Sequence, residues 1–286
     1  MDLTQPHDFL IRCVNCGYFP LTPAEENRTT CPNCGFLYEL TEKSIKYDYK
    51  KLLSTHFPRD YPLYYVLNNN GLLSYLFWPE ASISLTDRKD VMHFRDYVVA
   101  HYRKGNILDI GCGPMEIPGY LNFKDDESAF YGLDPLEESK FFGFLIKGCA
   151  EFIPFPDNFF STIIFATSLD HLCSLKDTIK EIRRILIPGG VVIIWSSDVG
   201  NPILWKIRTF YGRLFTTFKT GTNAFRYLLA NDNSVYLIPP GAVDPFHKTI
   251  LTPKKIIKSF QLKGFESHNC TRNLNSDTFL TLRNTK

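Results

Sequence analysis

The chain has 286 residues, 44% hydrophobic and 15% aromatic, with a formal net charge of +2. That length suits one large α/β domain plus a small accessory module, and the apolar content excludes wholesale disorder. No basic-then-apolar leader precedes Leu10 and no apolar run reaches the ~18 residues of a membrane span, so a cytosolic setting is expected.

Charge is unevenly placed. Residues 1–40 carry Arg12 and Arg28 against five acids, a net of −3, whereas residues 201–286 carry a net of +9. An anionic partner is therefore to be sought on the C-terminal half.

The first 40 residues hold Cys13-Val14-Asn15-Cys16-Gly17 and Cys31-Pro32-Asn33-Cys34-Gly35. Two such pairs can put four thiolates at the corners of a tetrahedron, the arrangement zinc prefers. The glycine after each second cysteine permits the positive φ that turns backbone N–H groups towards sulfur. With four protein ligands from Cys13, Cys16, Cys31 and Cys34, the zinc is expected to be structural. The module resembles zinc ribbons that bind RNA, but its acidity makes it a poor phosphate surface. Residues 41–104, broken at Pro58, Pro62, Asn68–Gly71 and Pro79, read as a helical connecting or cap region.

From residue 105 the pattern changes. Apolar strand-like runs occupy 106–110, 130–134, 162–166 and 191–196. Leu175, Ile179, Ile182 and Leu186 recur at helical spacing, and Pro188-Gly189-Gly190 is expected to stop that helix. A helix near 253–262 and two strands near 265–270 and 277–283 follow, the strands pairing antiparallel. Strands alternating with helices predict an α/β fold with a mostly parallel sheet and helices on both faces.

The central motif is Ile107-Leu108-Asp109-Ile110-Gly111-Cys112-Gly113-Pro114. A strand is expected to end in a glycine turn that opens a helix, with Gly111 and Gly113 letting backbone approach a ligand. Asp109 stands where a carboxylate could reach a ligand ammonium. A dinucleotide site would place a third glycine where Glu116 stands, which argues against NAD. Asp134, closing the run Tyr131-Gly132-Leu133-Asp134, suits a bidentate bond to ribose hydroxyls.

These pieces, with Ala150-Glu151, Pro154-Phe155-Pro156-Asp157 and Ile185-Leu186 before Pro188-Gly189-Gly190, resemble class I S-adenosylmethionine-dependent methyltransferases of the small-molecule branch. The resemblance covers residues 106–196. It implies a Rossmann-like doubly wound sheet with a C-terminal antiparallel hairpin. It also implies that the glycine turn with Asp109, Gly111, Cys112 and Gly113 meets the methionine part of the cofactor, Asp134 the ribose and the segment before Ala150 the adenine, with Pro135, Cys149, Ala150, Glu151 and Thr167 also among the cofactor-binding positions. Two positions depart from the family, which usually has Asp where this chain has Cys149 and Ser161. The first puts a side-chain contact to adenine in doubt.

Methyl transfer to oxygen needs alignment, exclusion of water and usually a base. His171 and its neighbour Asp170 follow the third strand, at the edge where a cofactor lies, and are candidate catalytic residues. His247, in Asp244-Pro245-Phe246-His247, is a third. Cys112 and Cys173 read as packing residues rather than reactive thiols.

Residues 200–245 read as a lid-like insertion. Within 201–230, Ile203, Ile207, Phe210, Leu214 and Phe218 share one helical face flanked by Lys206, Arg208, Arg213 and Lys219. That layout suits a solvated lid helix, a membrane-surface contact or a cover over an anionic acceptor. The favoured reading is a methyltransferase acting on a small molecule or glycan, at oxygen. RNA methylation and a non-catalytic scaffold are the alternatives, nucleic acid being the less favoured partner.

Overall fold

A computed structural model describes residues 11–21, 27–77, 88–137, 139–197, 251–272 and 277–286, without the side chains of 70–77. Its elements run β1 (Arg28–Thr30), β2 (Leu37–Thr41), β3 (Ser44–Tyr47), α1 (Tyr49–His56), α2 (Tyr61–Phe77), α3 (Lys89–His101), β4 (Asn106–Ile110), β5 (Ala129–Asp134), β6 (Phe144–Lys147), β7 (Phe160–Ala166), α4 (Leu175–Ile185), β8 (Leu186–Ser197), α5 (Pro253–Gln261), β9 (Phe265–Arg272) and β10 (Asp277–Asn284). Among the described residues the strands form one sheet in the order β1-β2-β3-β6-β5-β4-β7-β8-β10-β9.

The run from β6 to β8 is parallel, and β7 is buried along its whole length, as a strand covered on both faces must be. The expected hairpin is present: β10 lies antiparallel to both β8 and β9. Along β4 the side chains alternate. Leu108 and Ile110 pack with Tyr131, Phe165, Ile182 and Phe260 on one face. Ile107 packs with Phe94, Tyr120, Trp195 and Phe279 on the other. Helix α4 buries Ile179, Ile182 and Ile185, starts at Ser174 as N-cap, and carries Asp177 in its first turn and Arg183 and Arg184 in its last. Those charges complement the helix dipole at both ends.

Four local expectations are corrected. Residues 41–104 are not wholly helical. β2 runs on to Thr41, and β3 pairs parallel with β6, Ser44 opposite Leu145 and Lys46 opposite Lys147. A four-residue strand is too short to show a period. The glycine turn opens no α-helix: a 3₁₀ helix, Gly119–Leu121, follows a turn instead. Pro118 lacks an N–H and pushes the preceding residue out of the helical region. β6 was not foreseen, because Phe144–Lys147 is four residues long and ends in lysine. Finally, α4 ends at Ile185 and β8 begins before Pro188-Gly189-Gly190, which form a register shift within the strand.

Ser161, where the resembled family usually has Asp, is a joint in the scaffold. Its hydroxyl lies 2.8 Å from the Arg103 carbonyl oxygen and 3.0 Å from that of Asn106, tying the end of α3 to the start of β4.

The loop between β6 and β7 is held from α4. Arg184 donates to the carbonyl oxygens of Ile153 (2.9 Å) and Phe155 (2.7 Å) and to the carboxylates of Glu181 and Asp157. Glu181 accepts the Ile153 N–H at 3.0 Å, and Arg12 from the N-terminal module joins Asp157. Removing a half-buried guanidinium leaves these acceptors unpaired. Arg184→Met is expected to lower the unfolding free energy by about 3 kcal/mol in urea titration.

Candidate active site and metal centre

In a doubly wound sheet the strand order reverses at a switch point, and ligands bind beyond the C-terminal ends of the strands there. Here the switch point lies between β4 and β7. Gly111 (φ 79°) and Gly113 (φ 71°) both lie in the left-handed region. Gly111 has no room for a side chain, since a Cβ would collide with Ser168 after β7. The Ser168 hydroxyl bonds the Ile110 carbonyl oxygen, closing the strand ends together. Around Gly113, in contrast, a Cβ would meet nothing within 4 Å. Backbone with open space beside it is what close approach of a ligand requires.

Asp134 links the two loops of this crevice. Its carboxylate accepts the Gly113 N–H at 2.7 Å and the Leu136 N–H at 2.9 Å. It is 4% exposed, and burial raises its pKa. A carboxylate offers about four lone-pair positions, so two backbone bonds leave capacity for hydroxyl donors. Asp109 is fully buried. One oxygen accepts the Tyr120 hydroxyl at 2.7 Å and the other has no hydrogen-bond partner. Burial pushes its pKa up to about 7. An orphaned buried carboxylate oxygen is costly unless a cation or donor completes it.

Thr167 closes β7 with φ 58°, a strained conformation for a β-branched residue, and its N–H bonds the Trp195 carbonyl oxygen at 3.0 Å. The 3₁₀ helix Leu169–His171 follows. It presents Asp170 and the exposed His171, with Nε2 3.8 Å from the Asp170 carboxylate. The structure thus groups Asp109, Gly111, Gly113, Asp134, Pro135, Thr167, Asp170 and His171 on elements at one edge of the sheet.

Other expected site residues play different parts. The side chains of Cys112 and Cys149 are buried in the core and burial raises both thiols, so only their backbone faces a loop. Ala150 is likewise buried. The Glu151 carboxylate accepts the Ser174 N–H at 2.9 Å and so anchors the start of α4, and burial raises its pKa. It lines a cavity of about 600 Å³ between the module and α4. His247, Asp244, the 200–245 lid and the basic stretch 201–230 lie outside the described residues.

Sequence reasoning missed Tyr47 and Tyr49. The Tyr47 hydroxyl accepts the Cys149 N–H at 3.1 Å and donates to the Phe152 carbonyl oxygen, and Tyr49 donates to the Pro135 carbonyl oxygen at 3.1 Å. These contacts span about a hundred residues of chain, and no local signal announces them.

The four cysteines come together as their spacing predicted, with Sγ atoms all within 4.8 Å of one another. Two of the pairs, Cys13 with Cys34 and Cys16 with Cys31, stand at 3.6 Å. A tetrahedral zinc with Zn–S near 2.3 Å has sulfur edges of about 3.8 Å, so the cluster fits such an ion. Gly17 and Gly35 adopt the positive φ that each knuckle needs, their N–H groups bonding the Cys13 and Cys31 carbonyl oxygens at 2.8 Å.

A protein-family profile for the methyltransferase domain matches residues 108–194. That stretch holds the glycine turn, Asp134, the loop after β6 and His171. Residues 108–194 are a class I methyltransferase domain. Among curated relatives, the ubiquinone/menaquinone biosynthesis C-methyltransferase UbiE of Ectopseudomonas mendocina is 32% identical over 92 residues, 29% of this chain and 35% of that protein. The mitochondrial arginine-hydroxylase NDUFAF5 of Homo sapiens is 31% identical over 108 residues, 35% of this chain and 30% of that one. This chain thus spans about a third of the length of these relatives. Among solved structures, a SAM dependent methyltransferase from Aquifex aeolicus aligns with a TM-score of 0.43 at 14% identity, over 76% of this chain and 97% of that one. The PH0226 protein from Pyrococcus horikoshii aligns at 0.48 and 18%, over 74% and 98%.

Within the methyltransferase domain the raised pKa of Asp109 has a consequence for stability. The folded state keeps the proton up to about pH 7, whereas an unfolded aspartate releases it near 3.9. Between those values the folded form binds more protons, so this group's contribution falls as pH rises and is fully lost above 7. Asp109→Asn has no such slope. The melting temperature of the variant is expected to gain on that of the native chain between pH 5 and pH 8, read by parallel thermal melts.

Proposed function

We propose that this chain is an S-adenosylmethionine-dependent methyltransferase acting at oxygen on a small-molecule or glycan acceptor. The observation that carries the proposal is Gly113, open to a ligand and bonded to Asp134, at the switch point of a methyltransferase domain. Bound there, S-adenosylmethionine would supply a methyl group on a sulfonium, open to in-line displacement.

Each residue then has a part. The unpaired oxygen of Asp109 suits the ammonium of the amino-acid portion, and the open space beside Gly113 gives that portion room. Asp134 suits the ribose hydroxyls. The loop Cys149–Phe152, with backbone groups in place of the family's aspartate, suits adenine. His171, held near Asp170 and exposed at the rim, suits removal of a proton from an acceptor hydroxyl, and this supports transfer to oxygen. The relatives' names attach carbon methylation to one protein and arginine hydroxylation to another. The matched core therefore leaves the acceptor to the elements around it. In this reading the basic stretch 201–230 meets an anionic acceptor or a membrane surface from the cytosol.

The four-cysteine centre, in the same reading, holds a structural zinc. Cys31→Ser is expected to abolish stoichiometric zinc by metal analysis and to lower the melting temperature markedly, since metal binding and folding of such a module are linked.

Calorimetric titration of the zinc-replete chain with S-adenosylmethionine and S-adenosylhomocysteine tests the main proposal. Saturable binding weakened at least about tenfold by Asp134→Ala is expected, the cost of one charge-assisted bond. With an acceptor found by screening, His171→Ala should leave cofactor affinity nearly unchanged and lower kcat about 10²-fold to 10⁴-fold. No binding by the folded protein would defeat the reading.

A further inference from the structure

The metal centre and the cofactor crevice are joined by a continuous chain of contacts through three tyrosines. In the first knuckle the Val14 N–H donates to the hydroxyl of Tyr38 at 2.8 Å. The same hydroxyl meets the Cys13 thiol. Tyr38 is fully buried, so this end of the chain is fixed by packing as well as by hydrogen bonds. Tyr38 on β2 faces Tyr47 on β3 as a cross-strand pair, ring centroids 6.1 Å apart, and Phe36 packs against both at 5.3 and 6.5 Å.

Tyr47 then reaches the far loop. Its hydroxyl serves the Cys149 N–H and the Phe152 carbonyl oxygen, bracketing the turn closed by the Cys149–Phe152 bridge. Gly148, just before that turn, has no side chain to spare: a Cβ there would strike the Tyr47 hydroxyl. Two residues beyond Tyr47, Tyr49 at the start of α1 donates to the carbonyl oxygen of Pro135, next to Asp134. One short segment therefore grips both the loop after β5 and the loop after β6. The segments themselves, 135–137, 139–143 and 148–152, contain no α-helix among the described residues. They depend on such outside support for their shape.

We propose that Tyr47 and Tyr49 are positioning residues for the cofactor loops, and that the four-cysteine centre acts through Tyr38 to set cofactor affinity. This rests on the reading of the crevice as the S-adenosylmethionine site. The module then tunes binding in the domain beside it, and need not touch the acceptor. Buried hydroxyls in a water-free position cannot be replaced by solvent. Deleting the Tyr47 hydroxyl leaves a buried N–H unpaired and frees the turn that carries it.

The test is calorimetric titration of the full chain with S-adenosylhomocysteine, comparing native, Tyr47→Phe and Tyr49→Phe proteins, each zinc-replete and metal-stripped. Phenylalanine keeps the ring packing and removes only the hydroxyl. Kd is expected to rise about tenfold in Tyr47→Phe and severalfold in Tyr49→Phe. Stripping the metal should raise the native Kd to a similar degree, with recovery on adding zinc. It should add little to Tyr47→Phe, because two changes along one path are not additive. Amide exchange at Cys149–Phe152 should quicken in the same proteins. A lower melting temperature with Kd unchanged would mean a purely structural role and overturn the inference alone. Absence of binding by the native protein would take down the crevice reading and this inference with it. If Tyr47→Phe fails to fold, Tyr49→Phe carries the decision. If the stripped protein unfolds, the two zinc-replete variants do.

Discussion

The parallel pairing of β3 with β6 is the contact on which the two halves of this structure depend. A parallel sheet is normally buried on both faces, and an open edge exposes a row of unpaired N–H and C=O groups. Here β6 would be that edge. Ser44, Ile45 and Lys46 take up its free side, opposite Leu145, Ile146 and Lys147. β2 and β1 continue outward as an antiparallel ribbon to the four-cysteine centre. The N-terminal unit is thereby part of the sheet, and its orientation follows from backbone hydrogen bonds.

That arrangement coincides with economy elsewhere in the chain. The connections from β4 to β5 and from β5 to β6 carry no α-helix among the described residues, only the 3₁₀ helix Gly119–Leu121. Loops without a helix behind them have few internal hydrogen bonds and need partners from outside. Those partners are visible. Tyr47 and Tyr49 hold the loops on one side, Glu116 accepts the Phe142 N–H at 2.9 Å, and Tyr120 occupies one oxygen of Asp109. Phe155, Phe159 and Phe160 surround Tyr131 edge-on, and Phe94 meets Tyr120, Trp195 and Phe279.

Three carboxylates, Asp109, Asp134 and Glu151, are buried, and burial raises the pKa of each. Their partners divide them by role. Glu151 is bonded to the N–H that begins α4 and belongs to the scaffold. Asp134 is bonded to both loops of the crevice, and Asp109 keeps one oxygen unpaired. The unpaired oxygen of Asp109 thus lies buried beside the positive-φ glycine turn, where burial disfavours its charged form.

Much of this was legible in the sequence because it is local. The strands at 106–110 and 191–196, the helix bearing Ile179 and Ile182, and the closing hairpin follow from periodicity and from Gly and Pro at their ends. The positive-φ turn at Gly111 and Gly113 and the gathering of the four cysteines were legible too, since in each case a few consecutive residues contain the whole requirement. Tertiary structure alone decided that β3 joins β6, that the Cys149 thiol is buried, that Glu151 holds a helix, and that Tyr38, Tyr47 and Tyr49 tie the module to the loops after β5 and β6. Each of these depends on groups about twenty to a hundred residues apart in the chain. Such contacts leave no period or motif behind, because their partners become neighbours only when the sheet has closed.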